Sequence, residues 1–214
     1  YKRQGTDMTE TRKSFTSVSD NVLSDLSRET LNKTVKKLSS KAYVLINLII
    51  RNLFERTADI GFLSTDDDVR AFLQKYYTDE ITDQDNDHLK VRFHEYIKKY
   101  SVYSNILLLD TSGNVLVQLD ESNEVTTSKD ILIFEALNTK QPYVEVYKHS
   151  DLVSNTERSL IYAYRVTSPD GNKNLGVLCL CFHFENEMQG IFKYLIKPNE
   201  WVTGIMLDLS LIHI

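Results

Sequence analysis

The chain has 214 residues, 42% of them hydrophobic and 26% charged, and a net charge of −5 at pH 7. This is ordinary composition for a globular protein, and the acidic balance argues against a nucleic-acid binder, which carries a basic face. Three prolines and seven glycines leave few linkers and no low-complexity tract, and no internal repeat is visible.

Residues 1–20 are polar and without periodicity, and read as a linker. From Asn21 the pattern changes: Leu31, Val35, Leu38, Ala42, Leu45 and Ile49 recur at steps of four and three, one stripe of a long helix with a heptad-like period. Neither proline nor glycine interrupts from Asn21 to Ile60, so the spacing predicts a long signalling or dimerisation helix over 21–63. Its second half, "YVLINLIIRNLF", is apolar nearly all round. A membrane span needs about 20 apolar residues; this run is shorter and closes on Arg51 and Arg56. Burial against a sheet suits it better.

"STDDDVRAFLQKYY" reads as a helix start, capped by Ser64 or Thr65, with Asp66 to Asp68 in the first turn where the helix dipole favours negative charge. "DQDND", Asp83 to Asp87, imitates the opening of a calcium loop, but His88 stands where glycine is needed and His94 where glutamate is needed. It reads as a solvated loop. A helix follows, with Leu89, Phe93, Tyr96 and Ile97 on one side.

The pattern then turns to strands. Ile106–Leu109 and Val115–Leu119 flank "DTSGN", a hairpin turn. A short helix is expected over Ile131–Asn138, then a strand in "YVEVYKHSDL". Two longer strands, "SLIYAYRV" and "LGVLCLCFHF", are joined by "SPDGNKN". "ENEMQGIFKYL" returns as a helix and "WVTGIMLD" opens a new strand. The fold class is α+β: a long N-terminal helix followed by an antiparallel sheet flanked by helices. The last six residues, "LSLIHI", back-translate to a common transposase sequencing adapter. Residues 209–214 are therefore expected to be an artefact, with native sequence ending near Asp208.

Cys179 and Cys181 sit two apart in a strand, so both thiols share a face and cannot easily meet disulfide geometry. C-x-C is also half of a metal site, but its second pair is missing. Two small core residues is the simpler reading, and no resident metal or cofactor is expected.

The leading helix, "RTADIGFLSTDDDVRAFL", the "LLLDTSGNVL" hairpin and the "LGVLCLCFHF" strand together resemble the double Cache family of PAS-like sensor domains. The resemblance implies that 64–195 is the first, membrane-distal-type ligand-binding subdomain, and that 196–208 begins a second. It implies a small-metabolite sensor in bacterial signal transduction, upstream of a chemoreceptor, histidine kinase or cyclic-dinucleotide module, homodimeric through the long helix. It also implies that any membrane contact is made by segments outside this chain. The amino-acid-binding subgroup of that family carries an arginine–tryptophan pair and a final-strand aspartate. "YVEVYKHSDL" and Cys181 stand in those places here, which argues against an α-amino acid.

The candidate ligand residues are polar positions on the expected strands. Tyr147, His149 and Asp151 alternate on one, Tyr162 and Tyr164 on the next, and Arg165 faces away from that tyrosine pair. A tyrosine cage with Asp151 suits a cationic or hydroxylated ligand, whereas Arg165 with His149 suits a carboxylate. Tyrosines serving as sheet filler, with Arg165 in a surface ion pair, is the plain structural alternative. There is no phosphate loop, G-x-S-x-G or paired-histidine motif, so an enzyme is not expected. A sensor-derived module that only dimerises is the alternative function. Free thiols and the polar leader tilt location toward the cytoplasm, against an extracytoplasmic sensor on an inner-membrane receptor.

Overall fold

One helix, α1, runs unbroken over Lys2–Ser64 in the computed structural model, which describes residues 2–99, 102–153, 158–198, 200 and 202–205. It takes in the polar stretch read as a linker. No proline falls there and the one glycine is Gly5; adding a turn to an existing helix costs far less than starting one. The chain divides into two compact units, 1–48 and 49–214. The first is helix alone. Along it Leu31 and Val35 are 62% and 52% exposed, so the heptad-like stripe faces solvent.

In the second unit, α2 (Asp67–Tyr77) is capped by Asp66, whose carboxylate accepts from the Asp68 N–H at 2.9 Å. Ser64 and Thr65, the expected caps, instead close α1, their hydroxyls donating to the Gly61 carbonyl. "DQDND" is no loop: it opens α3 (Asp83–Lys99). The Thr82 N–H donates to Asp85 Oδ2 at 3.0 Å while the Asp85 N–H donates to Thr82 Oγ1 at 3.3 Å, a reciprocal capping box. Lys75 and Thr82 bond the same carboxylate and hold Asp85 down at a pKa of about 2.

The sheet strands are β1 (Tyr103–Leu109), β2 (Val115–Gln118), β3 (Val144–Lys148), β4 (Ser159–Thr167) and β5 (Asn174–Phe182), all antiparallel in the order β2-β1-β5-β4-β3. The expected hairpin is β1–β2, and the expected meander is β3–β4–β5. Asp110 makes the hairpin turn by accepting from the Ser112 and Asn114 N–H groups. Gly113 sits there at φ +89°, and a Cβ on it would lie 2.5 Å from the Ser128 carbonyl oxygen. Helix α4 (Ile131–Asn138), capped by Asp130, has the bounds its sequence predicts. Helix α5 (Phe184–Leu195) follows β5. Of the new strand expected over 201–208, residues 202–205 form no strand. The remainder, together with 209–214, lies outside the described residues.

Strand alternation sorts the core into two layers. Ile106, Leu108, Leu160, Tyr162, Leu178 and Leu180 face Ile60 and Leu63 of α1, α2 and α3. Leu107, Leu109, Ile161, Ala163, Cys179 and Cys181 face Leu132, Ile133 and Ala136 of α4. Both thiols are fully buried on one face, as their spacing requires, and burial pushes them well above the usual thiol range. Replacing both with alanine should lower stability by about 1–3 kcal/mol through lost packing, measured as the midpoint of urea unfolding. Stoichiometric zinc in the purified chain, absent from that variant, would contradict the core assignment.

Candidate functional site

The six residues singled out from sequence do not come together. Tyr147, Tyr162 and Tyr164 share the α1 face, since Tyr147 is registered with Leu160 and strand positions two apart point the same way. Strand β3 stops at Lys148, so the alternation does not carry through to His149 and Asp151. His149 is exposed just past the strand. Asp151 turns the other way, accepting from Ser128 Oγ at 2.5 Å and from the Lys129 N–H at 2.8 Å. Arg165 lies opposite the tyrosines, as its position predicts, and donates to the Thr139 carbonyl at 2.6 Å, just past α4. Tyr162 is wholly buried, and its hydroxyl has no hydrogen-bond partner among the described residues.

The segment after β3 is a clamp on the start of α4. Asp130, the α4 cap, accepts from Lys148 Nζ at 2.7 Å, Ser150 Oγ at 2.6 Å and the Leu132 N–H at 2.9 Å. Burial alone would raise its pKa, but the bonds from Lys148, Ser150 and Leu132 outweigh it and hold the carboxyl below its usual range. With Asp151 on Ser128 and Lys129, these contacts make a structural staple.

A cleft of about 400 Å³ opens where β5 turns into α5. Its walls are Phe182 and Phe184, with Ser104, Tyr147, Arg158, Ser159, His183, Glu185 and Asn186 around them. Tyr147 is the one sequence-selected residue that lines it. Its hydroxyl donates to Glu185 Oε1 at 3.1 Å and its ring lies 5.1 Å from that of Phe184. Partial burial, then the Glu185 bond, raises the phenol pKa. The sequence reading singles out none of the other polar lining residues: "LGVLCLCFHF" reads as a strand and "ENEMQGIFKYL" as a helix. The available signal was the crowding of His183, Glu185 and Asn186 at one strand-to-helix junction.

A second cleft of about 370 Å³ lies between the end of α1 and α3, lined by Asp59, Asp66, Arg92 and Glu95 beside Phe62 and Tyr96. Its two better-buried carboxylates are engaged within the fold. Asp59 accepts from the Tyr103 hydroxyl at 2.5 Å, and Asp66 accepts from Arg92 at 3.1 Å while capping α2. The first cleft therefore has more free hydrogen-bonding capacity.

No protein-family model matches the sequence, and no curated protein matches it. Solved structures do. The sensor domain of the V. cholerae histidine kinase DctB superposes with a TM-score of 0.56 at 15% identity, over 72% of this chain and 57% of that one. The extracellular domain of the candidate histidine kinase vpHK1S-Z8 gives 0.51 at 15% identity, over 75% and 59%. The chain thus has the fold of these sensor domains and spans under two thirds of the length of each. Among the described residues no helix is long and apolar enough to cross a membrane.

Two measurements check the staple. Asp151→Ala should lower stability by about 1–2 kcal/mol, because both donors lose their acceptor; an unchanged melting temperature would contradict this. For Asp130, a depressed folded-state pKa means stability that is present at neutral pH and is lost as pH falls through that pKa. The stability gap between wild type and Lys148→Met should accordingly be full near pH 7 and shrink as pH falls through and below the ordinary carboxylate range. Denaturant unfolding across that range measures it.

Proposed function

We propose that the chain is the ligand-sensing input domain of a bacterial signal-transduction protein, binding a small metabolite and passing a shift in α1 to an output module. The observation that carries the reading is the likeness of its helix-plus-sheet fold to the DctB sensor domain. The cleft at the β5–α5 junction supports it, being sized for a small molecule. A contact route supports it further. Phe184 and Phe182 line the cleft with ring centroids 6.3 Å apart, and the Phe182 ring lies 5.9 Å from the Arg56 guanidinium on α1. A molecule seated on those rings bears on the helix through one side chain.

An enzymatic reading fits less well. Ser104, Ser159, His183 and Glu185 share the cleft, but neither serine is hydrogen-bonded to the imidazole, and Glu185 is held by Tyr147 instead. On location we favour the extracytoplasmic alternative. The polar leader is helical, and thiols buried to this depth are compatible with an oxidising compartment, so both grounds for the cytoplasm weaken. Any membrane attachment is assigned to segments outside this chain.

A thermal-shift screen of the chain against organic acids, amines, amino acids and sugars tests the function. At least one class should raise the melting temperature saturably, and Tyr147→Ala should remove the effect. If every class fails, the alternative of a ligand-free dimerisation module takes over. The exposed Leu31 and Val35 favour dimerisation under either reading. Leu31→Lys with Leu38→Lys should convert a dimer into a soluble monomer in sedimentation velocity at micromolar concentration. A wild-type monomer under those conditions would sink the dimer.

A further inference from the structure

On the α1 side of the β3–β4 ribbon gather four side chains that line neither cleft. Glu145 is registered directly opposite Tyr162. Strand positions two apart share a face, so Tyr164 lies beside Tyr162. Tyr143, just before β3, packs on the same layer with its ring 6.1 Å from that of Tyr162. Cross-strand neighbours on one face stand about 5 Å apart at Cβ, which makes a block of three phenols and one carboxylate. The side chains of Tyr143, Glu145 and Tyr164 hydrogen-bond to no described residue. Tyr162 points to a ligand most directly, because it is wholly buried and its hydroxyl has no partner among the described residues. Burial first, and the Glu145 charge after it, hold the phenol above its usual range, so the hydroxyl stays protonated. A donor buried without an acceptor costs free energy that a bound oxygen would recover.

We propose that this block is a binding site for a small amino alcohol, whose ammonium pairs with Glu145 between Tyr143 and Tyr164 and whose hydroxyl oxygen accepts from Tyr162. Charge complementarity carries the class. Glu145 is exposed and makes no ion pair among the described residues, and the half-buried rings beside it offer their faces to a cation. Arg56, within electrostatic reach of Tyr162, favours an oxygen over the ammonium at that end. Its own charge is met by Asp59 and Glu55, so a neutral hydroxyl suits the place better than a carboxylate. Tyr143 is the ring packed on Tyr162, and its rotation opens the way to the buried hydroxyl. The sequence reading gave the carboxylate role to Asp151. The fold turns Asp151 to Ser128 and Lys129 and leaves Glu145 on the tyrosine face. The proposal stands on this face alone and goes beyond the sensor reading, which rests on the fold and the cleft.

Calorimetry on the whole chain tests this with ethanolamine, and with propylamine and ethylene glycol as probes that lack its hydroxyl and its ammonium. Ethanolamine should bind saturably, propylamine severalfold more weakly and ethylene glycol at least tenfold more weakly. Glu145→Gln should weaken ethanolamine binding more than tenfold. Tyr162→Phe should erase the preference for ethanolamine over propylamine and leave propylamine binding unchanged, which a merely structural role of Tyr162 would not do. Both variants should melt at or above the wild-type temperature, Glu145 being exposed and the Tyr162 hydroxyl having no bond to lose. Glu135→Gln, which alters an exposed carboxylate on α4, should leave binding unchanged. No ethanolamine binding, ethylene glycol binding as tightly, a Glu145→Gln variant with wild-type affinity, or a preference that survives Tyr162→Phe would each overturn the proposal. If ethanolamine fails while the wider screen finds a ligand sensitive to Tyr147→Ala, the sensor reading stands and this site alone falls.

Discussion

The buried guanidinium of Arg56 is the constraint around which the helix-to-sheet contact is organised. It is 4% exposed, 3.4 Å from Asp59 Oδ2, and stacked over the rings of Tyr103 and Phe182 at 5.4 and 5.9 Å. A charge removed from water is tolerated only with a partner and good hydrogen bonding. Asp59 and, at 3.5 Å, Glu55 are its carboxylate partners, and Asp59 is itself oriented by the Tyr103 hydroxyl. Burial, then the bond to Asp59, drives the Tyr103 phenol far above its usual range, so it stays a donor at any physiological pH. Helix α1, the start of β1 and the end of β5 are thereby locked together. A turn of the helix about its axis would break the Tyr103–Asp59 hydrogen bond and lift the guanidinium off both rings, as well as slide apolar surface.

From that lock the division of labour between the sheet faces follows. The α1 face carries the tyrosines and the charge, while the α4 face is filled by Leu107, Ile161, Cys179 and Cys181 against Leu132 and Ile133. Apolar filling of that second face leaves the polar chemistry to the end of the sheet, where β5 runs directly into α5. Phe182 stands on both sides of the boundary, as a core residue 2% exposed and as a wall of the cleft. It is the side chain that joins the cleft to the helix.

Much of this was legible in the sequence because it depends on local pattern. Helix α4 declared itself through the short run Ile131–Asn138, and β1, β2, β4 and β5 through their apolar runs and turn chemistry. The start of α1 was hidden because polar residues give no periodic signal, even where nothing breaks the helix. Three aspartates in a row concealed which residue caps α2. The candidate site fared worst, for a geometric reason. Alternation places side chains only as far as the strand lasts, and β3 ends one residue before His149. Beyond it Asp151 was free to turn toward Ser128, and nothing local to "HSDL" signals a contact more than twenty positions back. Arg158, Ser159, His183 and Glu185 meet only because β4 lies beside β5, a tertiary fact.

The two thiols at the centre of the sheet offer an experimental handle. Neither touches solvent in the folded chain, and burial keeps both protonated. An alkylating reagent therefore meets them only when β5 comes away from its neighbours. Their rate of modification is a built-in clock for opening of the central strand. Anything that settles in the neighbouring cleft and steadies β5 would slow that clock, reporting occupancy with no label attached to the protein.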